Sequence, residues 1–282
     1  MARVLIVGCG TVGEPLGMRL AATGHLVWGL RRDPSSLPVS FTHVQADVLV
    51  PNTLRRLPDV DVVYYLVRPD RADARAARQA HVDGVGYLLE VMRRMRLRPR
   101  RLFYGSCVDV YGDRGGDWVD EDSALAPDAL DDATRALVEG EARVREAKIP
   151  STVVRLGHLY GPGHPGLLGE ALEPAGPFPA PRRHASLLHL DDAAGALAHL
   201  VGVERPAPTY VVADREPSPR GAIAAWLTER AGRPMPELCG ATPPPGADVR
   251  PMSERLVESG YRFVHPSYRE GFGALLSKVA GR

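Results

Sequence analysis

Lysine and asparagine are nearly missing from this 282-residue sequence. Lys148 and Lys278 are its two lysines and Asn52 its one asparagine, so 33 of the 35 basic side chains are arginine. Cysteine is scarce as well: Cys9, Cys107 and Cys239 are odd in number and far apart. That pattern excludes a disulfide framework and predicts a reducing compartment. No stretch approaches the roughly 18 uncharged apolar residues of a membrane span. The opening apolar run, ended by Gly8, is too short for a secretory signal, and a cytoplasmic location with no membrane partner is expected. A net charge of +1, with arginine spread along the chain, leaves no basic footprint for nucleic acid. The nine histidines form no HxH or HxxxH grouping, so no metal centre is expected.

Apolar residues at 44% and charged residues at 24% are ordinary for a globular protein. The length lies near the point where single cores stop growing, which predicts one large domain with a smaller lobe. Short β-branched runs alternate with helical patterns: strands at Val4 to Val7, Leu26 to Leu30, Phe41 to Val44, Val60 to Val67, Arg101 to Tyr104 and Thr152 to Leu156. Helices follow the glycine turn after Val7, centre on Leu88 to Met92, and run from about Ala133 to Ala147. This alternation predicts an α/β, doubly wound parallel sheet of Rossmann type with helices on both faces. Segments 163–186 and 233–251 are rich in proline and glycine and lack periodicity, with a strand at Thr209 to Ala213 and a helix at Gly221 to Ala231 between them. We expect a dinucleotide-binding domain over 1–163, with 187–214 returning to it. A smaller interleaved substrate lobe is expected from 164–186 and 215–282.

Gly8, Gly10 and Gly13 form GxGxxG directly between strand and helix. The first glycine permits the tight turn, the second the approach of a pyrophosphate, and the third helix-on-strand packing. Thr11 and Val12 complete the turn, and Leu66, at the end of the fourth strand, is expected beside it. Past the second strand stand Arg31 and Arg32, where arginine suits the 2′-phosphate of NADP and an acid the ribose of NAD. NADP is favoured, and Asp33 keeps NAD open. Asp47, after the third strand, is placed near the adenine, with a helix cap as the alternative.

These features recur together with Val60-Asp61-Val62-Val63, His81-Val82-Asp83-Gly84, Tyr104-Gly105-Ser106-Cys107 leading to Tyr111-Gly112, Arg155 leading to Tyr160-Gly161-Pro162, and His189-Leu190-Asp191-Asp192. The whole chain resembles the extended short-chain dehydrogenase/reductases, the NAD(P)-dependent epimerase/dehydratase group. The resemblance implies a small-molecule substrate between sheet and lobe, a possible homodimer through helices four and five, and catalysis by a serine or threonine, a tyrosine, and a lysine four residues beyond it. That pair does not occur: Val144 precedes Lys148 and Ala274 precedes Lys278 by four. Matching the trailing glutamate of the motif to Glu141 puts Ala133 and Leu137 in the tyrosine and lysine positions; matching it to Glu139 gives Asp131 and Arg135. Cys107 falls at the serine position with Ser106 beside it, and Asp83 replaces the asparagine of helix four. Tyr111, Cys107 and Ser106 are therefore the candidate catalytic residues, with Asp109 near them and Tyr160 and His158 on the facing side. His189 with Asp191 reads as an acid/base pair or as a strand leading into a helix N-terminus. The leading expectation is an atypical NADP(H)-dependent oxidoreductase acting on a small carbonyl, hydroxyl or sugar-like substrate. The alternatives are an isomerase, dehydratase or cyclase without net hydride transfer, and a non-catalytic dinucleotide sensor.

Overall fold

In the computed structural model, residues 1–125, 130–164, 166–173, 178–179, 182–239 and 247–280 are described. Positions 165, 174–177, 180–181 and 240–246, parts of the two segments expected to be irregular, lie outside them.

The first βαβ unit sets the pattern. Strand β1 (Arg3–Val7) enters the glycine turn, helix α1 (Gly13–Ala22) follows, and β2 (Leu26–Arg31) and β3 (Thr42–Gln45) extend the sheet. Leu16 and Leu20 of α1 are buried, and Gly17 is small for a reason: a Cβ there would stand 2.5 Å from the Phe41 ring. Met18, which the helical spacing groups with the apolar face, is 47% exposed. Strand β4 (Val62–Tyr65) is wholly buried and shorter than the Val60 to Val67 run; at its flanks the Asp61 carboxylate accepts from Arg3 N and Leu66 N donates to Val7 O.

Helix α2 (Ala74–Arg78) passes through one π-helical turn, Gln79–Asp83, into α3 (Gly84–Arg94). The turn packs on aromatic strand residues: the Tyr65 hydroxyl donates to Ala80 O at 2.5 Å, and a Cβ on Gly84 would lie 2.6 Å from that hydroxyl. Strand β5 (Arg101–Cys107) runs three residues past the expected end, and its register with β4 stacks Tyr64 on Phe103 and Tyr65 on Tyr104. Next come β6 (Asp117–Val119), α4 (Asp132–Glu146), β7 (Ser151–Leu156) and β8 (His158–Tyr160). Asp131 caps α4 by accepting from Thr134 N at 2.7 Å.

The parallel seven-stranded sheet runs in the order Thr209–Val212, β7, β5, β4, β1, β2, β3. The order reverses between β1 and β4, and ligands of such sheets bind where the strands on either side of that reversal end. No helix among the described residues is long and apolar enough to cross a membrane.

Two compact units emerge. The first comprises Met1–Val110, Ala126–Arg155 and Ala194–Tyr210; the second comprises Tyr111–Leu125, Leu156–Ala193 and Val211–Arg282. The second thus takes in 111–125 and 156–163, and of the segment expected to return, 187–193 and 211–214, all of which the sequence assigns to the dinucleotide-binding domain. Long-range pairing explains this: β6 pairs with Val249–Pro251, and β8 with Leu187–His189. The core of the second unit gathers Tyr160, Phe178, Leu187, Ile223, Leu227 and Phe272.

Candidate active site

The three glycines after β1 do three different things. Gly8 has φ 83°, and a Cβ on it would lie 2.7 Å from both Leu66 C and Val67 N. Only glycine fits against the end of β4. At Gly13 an added Cβ would meet Ile6 Cγ2 at 2.9 Å and Gly8 O at 3.0 Å, so its smallness lets α1 lie on β1. Gly10 is the opposite case, with nothing within 4 Å of its Cβ position. The backbone there stands open on the side where a pyrophosphate would approach. Gly8 N and Cys9 N both donate to Leu30 O at 3.1 Å, which locks the turn to β2. The Cys9 thiol is buried beneath it and pushed up to about 12 by burial, with Glu14 adding to the rise; it is an inert packing group. Thr11 is half-buried and Val12 buried, and Val12 makes no side-chain cap bond at the start of α1. The positive end of the helix is therefore available to an anion. The residues present fit a dinucleotide.

Around this cradle the structure brings Leu66 against Gly8, as expected. Arg31 is half-buried and reaches Ser36 Oγ at 3.3 Å, while Arg32 makes a two-pronged ion pair with Asp70 at 2.6 and 2.7 Å. Asp33 accepts from Ser35 N at 3.0 Å and closes a local turn. Asp47 accepts from Leu49 N at 2.9 Å and so closes a local turn; the short helix that follows, Pro51–Arg56, begins at Val50 with no side-chain cap.

The proton-transfer candidates fare differently. Ser106, expected among the catalytic residues, belongs to a buried network: its hydroxyl donates to Glu141 Oε1 at 2.7 Å. Arg155 holds the same carboxylate through Nε (3.0 Å) and Nη2 (2.8 Å), and Arg145 approaches it at 3.0 Å. Burial alone pushes the Glu141 carboxyl up, yet the Arg155 bonds and charge, Ser106 and Arg145 together hold it below the ordinary range. Glu141 is fully buried, whereas Glu139 lies at the surface paired with Arg78. In the register that aligns on the buried Glu141, the tyrosine and lysine positions fall on Ala133 and Leu137; in the register that aligns on Glu139 they fall on Asp131, which caps α4, and Arg135, which pairs with Asp132. Ala133 and Leu137 are half-buried, and Ala133 packs beside Ala77, Val82 and Ala136.

Tyr111 is completely buried and its hydroxyl donates to the Asp120 carbonyl at 2.6 Å. Its hydroxyl is thus engaged in structure, contrary to a free acid. Tyr111→Phe should cost about 1 kcal/mol of stability and leave turnover intact; a hundredfold fall in kcat without loss of stability would return it to catalysis. Cys107 is half-buried, with Sγ 3.2 Å from Asp109 Oδ2. It is the one member of the expected trio that still borders the strand end with a partly accessible group. Tyr160 is buried against Phe272 and His189, and burial, together with Asp214, Asp192 and Glu270, pushes its phenol up, away from acid function near neutrality.

Sequence reasoning used Glu141 only as a register marker and passed over Arg155. The signal was present: Glu141 falls on the same helix stripe as Ala136, Gly140 and Val144, and Arg155 interrupts an apolar strand. A charge on a buried stripe requires a buried partner. Tyr104 and His81 were also missed. The Tyr104 hydroxyl lies 3.4 Å from His81 Nδ1, and burial pushes the His81 imidazole down to about 4.

Comparison with known proteins agrees with this geometry. Residues 4–173 match the NAD dependent epimerase/dehydratase family. A 3-diazoavenalumate denitrifying reductase from Streptomyces sp is 33% identical, over 96% of this chain and 99% of its own. A solved structure described as an NAD-dependent epimerase/dehydratase from Methylobacillus flagellatus superposes with TM-score 0.84 at 31% identity, covering 99% of each chain. A UDP-glucuronic acid 4-epimerase from Bacillus cereus, solved with NAD, shares the fold at TM-score 0.80 and 19% identity, again over 99% of each chain. The glycine cradle at the sheet reversal, the strand order and these likenesses together place the chain in the NAD dependent epimerase/dehydratase family.

Proposed function

We propose that the protein is a cytoplasmic NADP(H)-dependent reductase whose small substrate accepts hydride without a proton from a protein phenol. The observation that carries this is the pairing of an intact glycine cradle with Ala133 and Leu137 where, in the register of the buried Glu141, the tyrosine and lysine belong. A bound nicotinamide supplies hydride. A carbonyl that takes hydride becomes an alkoxide, and its protonation by a positioned acid is worth roughly 10²–10⁴-fold. An aryl diazonium already carries positive charge, and hydride neutralises it directly. Hydride added to its terminal nitrogen gives an aryldiazene, which releases N2 and leaves the hydrogen on the ring carbon. The 33%-identical relative is named as a reductase that denitrifies a diazo compound, which supports an aromatic diazo group as the substrate class. A site without an ammonium group also suits a cationic electrophile, since a nearby like charge disfavours it.

The preference for NADP rests on Arg31 and Arg32. Both partners in the Arg32–Asp70 pair are about 60% exposed, and such surface pairs are worth only about 0–1 kcal/mol, so a 2′-phosphate can displace Asp70. An Arg31→Ala, Arg32→Ala variant should bind NADPH at least about tenfold more weakly, a loss of about 1.4 kcal/mol, and leave NADH affinity unchanged. Equal loss for both cofactors would overturn the assignment.

The function is tested by following NADPH oxidation with an aryl diazonium salt and, in parallel, with a panel of simple carbonyls. The expected result is NADPH-dependent N2 release. Failure to bind either dinucleotide at millimolar concentration, or turnover of carbonyls alone, would sink the proposal. Substrate conversion that survives complete removal of dinucleotide would favour an isomerase or dehydratase instead.

A further inference from the structure

A second set of chemistry-bearing side chains lies within the second unit, where the strand Leu187–His189 runs directly into the helix Leu190–Leu200. Asp192, in the first turn of that helix, is fully buried. Its Oδ1 accepts from the Tyr261 hydroxyl and from Val264 N, each at 2.8 Å, and its Oδ2 accepts from His265 N at 2.8 Å. One carboxylate thereby fixes the loop from 261 to 265. Oδ2 also faces His265 Nδ1 at 3.3 Å. With the Nδ1 proton donated to Asp192, the Nε2 lone pair of His265 is left for another partner.

That ring is held beside a second imidazole. The His189 and His265 ring centroids are 3.8 Å apart with the planes tilted by 34°, and Asp191 Oδ2 lies 3.8 Å from His189 Nδ1. One donor atom from each of His189, Asp191 and His265 falls within 4.8 Å of the others. We propose that these three residues form a binding site for a borderline divalent transition-metal ion, with Zn2+ as the fitting probe.

The donor set is two imidazoles and one carboxylate, which suits zinc and its neighbours; Mg2+ and Ca2+ favour all-oxygen shells. Zinc bonds of about 2.0–2.2 Å require the donors to draw closer than they stand. Asp191, whose side chain is 52% exposed, moves toward the rings, and the two imidazoles, stacked 3.8 Å apart, open so that their lone pairs meet at one point. Asp191 N lies 3.2 Å from His189 Nδ1. A metal taking that lone pair would release an N–H in the first turn of a helix, where no intrahelical acceptor is required. Asp192 behind His265 supplies the outer carboxylate that orients a ligating imidazole and raises its basicity. The two aspartates offset the dication, and a fourth position remains for water. The ion would tie the end of the strand Leu187–His189 to the 261–265 loop. This site is independent of the reductase reading, because its test needs no dinucleotide.

The test is zinc titration of the full chain by calorimetry, with thermal melts at rising zinc concentration. The expected result is one ion per chain and a Tm that rises with free zinc, as mass action requires of a ligand for the native state. Mg2+ should do neither. His265→Gln and Asp191→Asn, each checked for native circular dichroism, should weaken zinc binding by more than the roughly 10–100-fold that loss of an outer partner alone costs. Absence of one-to-one binding overturns the proposal. So does zinc binding that both variants retain unchanged, which would assign the ion to other residues.

Discussion

Arg155→Met should destabilise the protein by about 3–5 kcal/mol at pH 7, the cost of stranding a buried carboxylate. Arg155 and Glu141 are both buried, and the pair is completed by Ser106. In the wild type the Glu141 carboxyl is held below the ordinary range. Its contribution is therefore present above the unfolded pKa, about 4.3, and is lost only as the pH falls through the lower folded value. In the variant the balance reverses, because burial, the largest influence on this group, pushes the carboxyl up once its main partner is gone. The deficit should accordingly be larger at pH 8 than at pH 5, where the stranded acid is neutralised more easily. Urea melts at both pH values check this. A Glu141→Leu, Arg155→Met double variant should recover a large part of the loss, since apolar replacement of a buried pair is often neutral. A single variant within about 0.5 kcal/mol of wild type would show that the network contributes little.

Gly10→Val should fold as the wild type does and bind NADPH at least about a hundredfold more weakly, a loss of about 2.7 kcal/mol. The position has no positive φ and nothing within 4 Å of an added Cβ, so the branch point of the new side chain meets no neighbouring atom. It fills the side from which a pyrophosphate reaches the backbone N–H groups. Gly8→Val provides the contrast, because the Leu66 backbone and φ 83° forbid a side chain there; both stability and binding should fall. Thermal melts and cofactor fluorescence titration separate the two. Unchanged NADPH affinity in Gly10→Val would mean that the dinucleotide does not lie over this turn.

Most of the sheet was legible because parallel strands covered on both faces read as continuous apolar runs. Val4 to Val7 and Val62 to Tyr65 are such runs. The π turn at Gln79–Asp83 was not legible. It depends on a long-range contact, the Tyr65 hydroxyl on Ala80 O, that local periodicity does not encode. The irregular lobe was misdivided for a similar reason: 117–119 gains its strand from 249–251, more than a hundred residues away. At the site, the close fit of Gly8 against Leu66 follows from local turn chemistry. The partners of the Ser106 and Tyr111 hydroxyls, Glu141 and the Asp120 carbonyl, could not be read from sequence, because the orientation of a hydroxyl is decided by packing.

By itself the sequence determined that no tyrosine with a lysine four residues on can carry the proton, since two lysines cannot form a motif whose spacing neither satisfies. It also determined the cofactor turn, since three glycines between a strand and a helix are a local constraint. Only the tertiary structure decided which glutamate faces inward: Glu141 is buried against Arg155, and Glu139 pairs with Arg78 at the surface. It alone revealed that the Ser106 and Tyr111 hydroxyls donate to Glu141 and to the Asp120 carbonyl, and it alone brought His265 to His189 from 76 positions along the chain. The physical reason is the same throughout. Backbone conformation follows from neighbours in the chain, whereas the partner of a buried polar group is chosen by whatever the fold packs against it.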